Sequence, residues 1–240
     1  RSIRKFRSDP IAPEVLQDML EAASRASTCG NMQLYSLIVT QSRELREALA
    51  PCHFNQPMVT QAPCVITVCA DVHRFSMWCE QRDAEPCYDN FAWFLNGVTD
   101  ALLAAQNLCV EAEAHGLGIC YLGTTIYTAE EIARILDLPK GVIPVTTIVV
   151  GHPDESPELT DRLPLDAVVH CEKYHHYTSS EIDELWAEKE TSEETRRLLE
   201  ENGLPNLAQI FTRNRYRAED NLAISRNYFA LLKKQGFFNN

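Results

Sequence analysis

The first four residues concentrate side chains that could bind an anionic ligand. Arg1, Ser2 and Arg4 provide two guanidinium groups and one hydroxyl. In extended backbone, successive side chains alternate, which puts Arg1 and Ile3 on one side and Ser2 and Arg4 on the other. The two cations would then meet different parts of one ligand. A frayed, solvated chain end is the alternative interpretation.

A second group of candidate ligands lies between residues 170 and 176. His170 and Cys171 are followed by His175 and His176. This spacing matches no standard zinc pattern, and no second cluster completes it. A polar loop without metal is the simpler interpretation, and a metal-dependent hydrolase that uses this cluster stays an open alternative.

Two further motifs lack the context that their chemistry requires. Cys52 and His53 are adjacent, but chain neighbours do not face each other and no orienting third group is evident. Gly116 and Gly118 begin a dinucleotide fingerprint, yet its third glycine would fall at Tyr121. That stretch also follows a predicted helix rather than a strand. We therefore predict neither a cysteine nucleophile nor a Rossmann site.

The charge distribution argues against a polyanionic partner. The 240 residues carry 22 basic and 34 acidic side chains, a net charge of −12. A surface this acidic repels phosphate backbones, so neither nucleic acid nor an anionic membrane is an expected partner. Residues 1–9 and 202–240 are nevertheless basic. If the two ends meet in the fold, they form a local anion site.

The remaining composition indicates a cytoplasmic protein. No apolar run reaches the roughly 18 to 20 residues that a membrane span needs. The first residues lead into a polar turn, so we expect no secretory signal. Nine cysteines without a Cys-x-x-Cys pair fit a reducing compartment better than a disulfide framework.

Hydrophobic periodicity predicts alternating helices and strands in an α/β or α+β layered fold. Helices are predicted over residues 10–26, 43–49 and 88–115, and strands over 34–40, 62–70, 119–122 and 142–151. Thr128 and Glu131 have the spacing of a capping box for a further helix that ends at Leu136. Residues 153–166 are polar and proline-rich, and 178–235 are predicted to be mostly helical. We interpret this tail as an extension of one domain.

Several motifs in order resemble the FMN-dependent nitroreductases. They are Arg1-Ser-Ile-Arg-x-Phe6, Ser27-x-x-Gly-Asn31-x-Gln33, Gln56 before an apolar strand, the run Gly116–Gly123, Leu138-Pro, Val150-Gly-His-Pro153, Arg162-Leu-Pro164, Ser225-Arg226 and Lys234-Gln-Gly236. The later motifs are similar to the branch of oxygen-insensitive NADPH nitroreductases and NADPH–flavin oxidoreductases. The resemblance covers essentially the whole chain.

The resemblance implies a single domain over residues 1–240 with a three-layer α/β/α, mostly antiparallel α+β fold. A long core helix would cross it, and residues from about 153 to 240 would form a helical extension wrapping a homodimer. FMN would lie in a cleft built by both subunits.

The resemblance also assigns FMN-binding residues. Arg1, Ser2 and Arg162 correspond to positions that bind the phosphate, and Arg4 to the cation beside flavin N1 and O2. Gln56 corresponds to the amide on the pyrimidine edge. Other positions correspond to the loop beside the ribityl chain and ring, Thr28, Cys29 and Asn31, and to the segment whose backbone faces N5, Leu122, Gly123 and Thr124. Tyr121, directly before that segment, is also expected to bind the cofactor.

Two positions bear on ligand affinity. Thr160 replaces a lysine that binds phosphate in relatives, which removes one positive charge from that side. Arg226 corresponds to an arginine that contacts NADPH in relatives. Nearby arginines either assist it or form a solvated helix face: Arg213, Arg215 and Arg217.

The implied activity is a ping-pong transfer of hydride from NADPH or NADH, through flavin N5, to a small acceptor. Nitroaromatics, quinones and free flavin are the acceptors that the family suggests, and no side chain is expected to act as acid or base. A specialised flavin reductase, a dehalogenase-like enzyme and a non-catalytic flavin-binding protein with a docking tail over residues 178–201 stay as alternatives.

Overall fold

Four antiparallel strands form the central sheet in the computed structural model, which describes residues 1–238. They are β1 (Tyr35–Thr40), β2 (Cys64–Asp71), β3 (Gly118–Leu122) and β4 (Val142–Gly151), in the order β1-β2-β4-β3. All four predicted strands are confirmed, with ends shifted by at most two residues. Because every pairing is antiparallel, the fold is α+β rather than α/β.

Helices form most of the regular secondary structure outside the sheet. They are α1 (Pro13–Ser24), α2 (Arg43–Leu49), α3 (Met58–Gln61), α4 (His73–Glu80), α5 (Phe91–Ala114), α6 (Ala129–Ile135), α7 (Ser179–Thr191), α8 (Glu193–Asn202), α9 (Leu207–Gln209) and α10 (Ala218–Lys234). The predicted long core helix is α5, and the predicted helical tail is confirmed. Helix α4 was not predicted.

Alternation along the strands gives the sheet two apolar faces. Ile66 pairs with Ile148 on the face that packs against α1 and α5. Val65 pairs with Val149 on the opposite face. That second face is covered by residues of the N-terminal segment and of the region around α2 and α3, among them Ile3, Phe6, Ala50, Met58 and Val59. Helical and coil layers on both sides confirm the predicted three-layer arrangement.

The predicted capping box at Thr128 and Glu131 is wrong. The Thr128 hydroxyl donates to the carbonyl of Cys52 at 2.7 Å instead of accepting from its own helix. Glu131 instead pairs with Arg134 one turn later. The spacing was correct, but a tertiary acceptor takes the threonine hydroxyl.

A capping box is present elsewhere, at the start of α7. The Thr178 side chain accepts from the backbone N–H of Glu181 at 3.3 Å, and the Glu181 carboxylate accepts from the Thr178 N–H at 2.7 Å. Together with burial of the α8 residue Thr195, whose hydroxyl donates to the carbonyl of Lys189 at 2.7 Å, it stabilises the α7–α8 region.

The chain forms two compact units, one from Arg1–Pro157 with residues from Ile224 onward and the other from Glu158–Ala223. The C-terminal residues of the first unit contribute to its core. Leu231, Leu232 and Phe237 are buried in one cluster with Leu34 and Phe94. The single domain over 1–240 with an extension from about 153 stays a prediction.

Within residues 1–238, no helix combines the length and the apolar character that crossing a membrane would require.

Candidate functional site

The N-terminal segment lies along the edge strand β3. Ser2 forms a parallel bridge with Ile119, and the Ile3 N–H donates to the Ile119 carbonyl at 2.9 Å. Ile3 is buried, and a Cβ atom on Gly118 would lie only 2.6 Å from it. The missing side chain at Gly118 therefore creates the seat for Ile3, which holds the exposed residues Ser2 and Arg4 beside the strand.

The two candidate cations have different surroundings. The guanidinium of Arg1 donates to the Pro157 carbonyl at 2.8 Å, and its ammonium group pairs with Glu113 at 3.1 Å. The backbone N–H of Arg4 donates to the Glu155 carboxylate at 2.5 Å. No residue in the described range 1–238 bonds to the Arg4 guanidinium. Its charge is therefore available to a ligand.

Strand β3 leads into an open turn, Gly123–Ile126. The Thr125 hydroxyl anchors this turn through the Leu122 carbonyl at 2.8 Å and the Thr147 hydroxyl at 3.0 Å. Gly123 is exposed, and a Cβ added to it would meet no atom within 4 Å other than those of its chain neighbours Leu122 and Thr124. Free space in front of a rigid glycine permits close approach of a flat ligand.

The Gln56 turn is attached to the same place. Phe54 and Asn55 both have left-handed backbone, with φ of 55° and 53°, and the Gln56 N–H donates to the His53 carbonyl at 3.1 Å. The His53 Nδ1 lies 2.8 Å from the Thr124 hydroxyl oxygen. Half-buried Gln56 is thereby held beside the turn that begins at Gly123.

The sequence indicates His53 only as the chain neighbour of Cys52. Its side chain is fully buried, and burial lowers the pKa of the imidazole from 6.5 to about 4. Burial raises the pKa of the Cys52 thiol. A neutral imidazole and a protonated thiol do not form a nucleophilic pair. The contact with Thr124 had no signal in the sequence.

The loop with Thr28, Cys29 and Asn31 is anchored on α5. The Asp100 carboxylate accepts from the backbone N–H of Cys29 at 2.9 Å and from that of Leu34 at 3.1 Å. Asp100 is 2% exposed, and a carboxylate in the core needs such donors. Asp100 lies inside an apolar helical pattern, so no spacing in the sequence marks it as a site residue.

The structure thus joins most, but not all, of the predicted FMN-binding residues. Bonds to β3 position the N-terminal segment, and the His53–Thr124 contact attaches the Gln56 turn. Tyr121 is partly buried and Leu122 is buried within β3. The Thr28–Asn31 loop is held separately, by Asp100.

Arg162 lies in the unit Glu158–Ala223. Its guanidinium donates to the Thr160 hydroxyl at 2.7 Å and to the Asp161 carbonyl at 2.8 Å. Thr160 therefore contacts Arg162, the residue that is predicted to bind the phosphate. The phosphate role of Arg162 stays a prediction.

The C-terminal arginines differ in their contacts. Arg226 is exposed on α10, and its guanidinium has no bonding partner within residues 1–238. Arg217 pairs with Asp220 at 2.8 Å, and Arg215 lies over the Phe211 ring at 5.5 Å. Arg226 is consequently a better candidate for a ligand phosphate than Arg215 or Arg217.

The segment His170–His176 forms internal contacts. His170 Nδ1 accepts from the His175 N–H at 3.2 Å, and His175 Nε2 lies 2.9 Å from a Glu181 oxygen. Bonds from Thr178 and His175 lower the pKa of Glu181 to about 2. In the described part of the chain, no three His, Cys, Asp or Glu side chains are grouped to hold a metal ion.

Known proteins are similar to this chain in sequence and in structure. The model of the nitroreductase family matches residues 1–152. An NADPH-dependent oxidoreductase of Staphylococcus aureus (strain USA300) is 35% identical over 178 residues, which cover 72% of this chain and 70% of the relative.

Two solved structures extend the similarity over the full length. One, from Bacteroides fragilis NCTC 9343, is 49% identical with a TM-score of 0.98 and covers 100% of this chain and 97% of its own. The NADPH:FMN oxidoreductase from Vibrio harveyi, solved with NAD+, is 26% identical with a TM-score of 0.82, and the match covers 100% and 96% of the two chains.

Proposed function

Because this chain belongs to the nitroreductase family and is an NAD(P)H-dependent oxidoreductase, we propose that it binds FMN and transfers hydride from NAD(P)H to a small organic acceptor. The observation that carries the proposal is the surface beside β3, where Arg4 has a free cation, Gly123 faces open space and Gln56 is held at the same turn. The printed name of the Vibrio harveyi relative, an NADPH:FMN oxidoreductase, supports it.

The residues at this surface fit the parts of FMN. Arg1 and Ser2 would bind the phosphate, since charge-assisted hydrogen bonds contribute roughly 1.5–3 kcal/mol each. Arg162 keeps the phosphate role that the family resemblance implies as part of this proposal. Arg4 would balance negative charge on the pyrimidine ring, and the Gln56 amide can both donate to and accept from that edge.

Bound FMN supplies the two-electron hydride chemistry that protein side chains lack. The protein supplies position and charge. Gly123 lets the ring approach the backbone, and the turn anchored by Thr125 prevents that backbone from yielding. Tyr121 and Leu122 support the turn from the sheet side. No side chain needs to act as a general acid or base.

An exposed aromatic pair favours planar acceptors. Phe54 is 60% exposed, and its ring lies 6.0 Å from that of Tyr127. Both residues are close in sequence to the contact between His53 and Thr124. Flat apolar surface of this kind stacks with aromatic compounds. We therefore favour nitroaromatics and quinones as acceptors.

The exposed side of α5 supports a homodimer. Four large apolar residues there are between 43% and 55% exposed: Leu95, Leu102, Leu103 and Val110. Monomeric proteins rarely leave such a stripe in water. A second copy would cover it, and the Thr28–Asn31 loop of that copy would complete the cofactor cleft. The helical segment from about 153 to 240 would wrap around the second subunit.

The thiols support a cytoplasmic location. All nine cysteines, each within the described residues, are free. Most are buried and inert, as expected in a reducing compartment.

Steady-state kinetics test the proposed activity. With an acceptor panel of nitroaromatics, quinones and free flavin, we expect NADPH oxidation with parallel double-reciprocal lines, which indicate a ping-pong cycle. Arg4→Ala should lower the rate at least tenfold. Arg7→Ala is the matched control, because Arg7 lies in the same segment but pairs with Asp9. Equal rates for the two variants, or no turnover with any acceptor, would contradict the proposal.

A further inference from the structure

The buried imidazole of His53 has one partner and one unused nitrogen. His53 ends a short helical turn, Ala50–His53, and is fully enclosed. Nδ1 lies 2.8 Å from Thr124 Oγ1. Nε2 is buried and has no hydrogen-bond partner in the described residues. Because the ring is neutral at pH 7, it carries one N–H proton, which lies either on Nδ1 or on Nε2.

The environment favours the proton on Nδ1. A proton on Nε2 would create a buried N–H donor without an acceptor, which folded proteins rarely tolerate. With the proton on Nδ1, the imidazole donates to Thr124 Oγ1, and only an acceptor lone pair at Nε2 stays unused. In this tautomer the Thr124 oxygen is the acceptor of the pair.

An accepting Thr124 oxygen keeps its own proton for another partner. Thr124 is half-buried and follows exposed Gly123, where the protein leaves open space. Around it the backbone is fixed, since Thr128 donates to the Cys52 carbonyl at 2.7 Å and Thr125 donates to the Leu122 carbonyl at 2.8 Å. Within this fixed turn, the Thr124 O–H bond can still rotate toward another acceptor.

We propose that His53 is a positioning residue that holds Thr124 Oγ1 as an acceptor, so that the Thr124 hydroxyl donates its proton to the ligand seated at Gly123. This inference rests on the proposed function for the identity of that ligand, FMN. The contact between His53 and Thr124 concerns only residues of this chain. A donor next to the flavin ring favours the more negative, reduced form.

The tautomer can be read without any cofactor. In protein freed of FMN, ring ¹⁵N chemical shifts with His53→Asn as the assignment reference should show the proton on Nδ1. Thr124→Ser keeps the hydroxyl and should preserve this signal, whereas Thr124→Val removes the acceptor and should shift it. A proton on Nε2 in the wild-type protein would overturn the inference.

The reduction potential of bound FMN tests the ligand side. Loss of one neutral hydrogen bond to reduced FMN should lower the equilibrium constant for reduction of the bound flavin about tenfold. For a two-electron couple, this lowers the reduction potential by about 30 mV. We expect this shift in Thr124→Val and not in Thr124→Ser. His53→Asn, whose amide can replace Nδ1, should match the wild type, and His53→Gln should shift as Thr124→Val does.

The outcomes separate the two proposals. A wild-type protein that takes up no FMN refutes the proposed function, while the ring tautomer still decides the His53–Thr124 part. A protein that binds FMN, with the same potential in wild type and Thr124→Val, overturns the inference and leaves the proposed function standing.

Discussion

Replacing His53 by asparagine should remove a large pH dependence from the stability of this protein. The imidazole has a pKa of about 4 in the folded state and 6.5 in an unfolded chain. Between these values the unfolded chain binds a proton that the folded protein excludes, so the free energy of unfolding falls as the pH falls. The difference amounts to about 3 kcal/mol between pH 7 and pH 4.

Urea unfolding, followed by tryptophan fluorescence at several pH values from 4 to 7, measures this effect. His53→Asn is the appropriate variant because asparagine does not titrate and its amide lies near the position of Nδ1. The other titratable groups are common to both proteins and cancel in the difference between them, provided that FMN content is equal. The expected result is a wild-type protein that loses about 3 kcal/mol more than the variant on going from pH 7 to pH 4.

A difference in unfolding free energy between wild type and His53→Asn that stays constant from pH 7 to pH 4 would contradict a lowered pKa of His53 in the folded protein. It would mean that the imidazole binds protons equally well in the folded and unfolded states. That result would contradict the burial of His53, and with it a neutral ring that donates to Thr124.

Three further substitutions test separate parts of the structure. Gly123→Ala should leave the free energy of unfolding within about 0.5 kcal/mol of wild type but weaken FMN binding at least tenfold in a fluorescence titration. Gly118→Ala, whose Cβ would collide with Ile3, should instead lose about 1–3 kcal/mol of stability in urea. An equal loss of stability in the two variants would contradict the open space at Gly123. Asp100→Ala leaves two loop N–H groups without their acceptor and should cost about 3 kcal/mol in urea unfolding; a loss below 1 kcal/mol would argue against the anchor. In the proposed homodimer, Leu102→Lys should lower the mass measured by light scattering to that of a monomer. A variant that keeps the dimer mass of the wild type would contradict a dimer interface on α5.

The sequence predicted the secondary structure well where the apolar residues of an element form a clear run or a clear periodic pattern. The strand over 142–151 and the helix over 43–49 have the predicted ends because local patterns determine them. The capping box was assigned to Thr128 instead of Thr178, since the decisive acceptor of Thr128, the Cys52 carbonyl, is 76 residues away in the chain.

Most of the candidate site was reached through resemblance to a family rather than through chemistry visible in the residues. Arg4 and Gly123 have the free charge and open space that the resemblance implied. Asp100 and His53 were not predicted as site residues. Each acts through a contact with a distant loop, and no spacing in the sequence reports such a contact.

The visible absorption spectrum of the purified protein, recorded after addition of FMN and gel filtration, tests whether the protein is an FMN-dependent oxidoreductase. We expect a yellow protein that retains one FMN per chain. Its flavin absorbance should be bleached by NADPH under nitrogen and restored by a quinone. A colourless protein that retains no FMN after this treatment would contradict it.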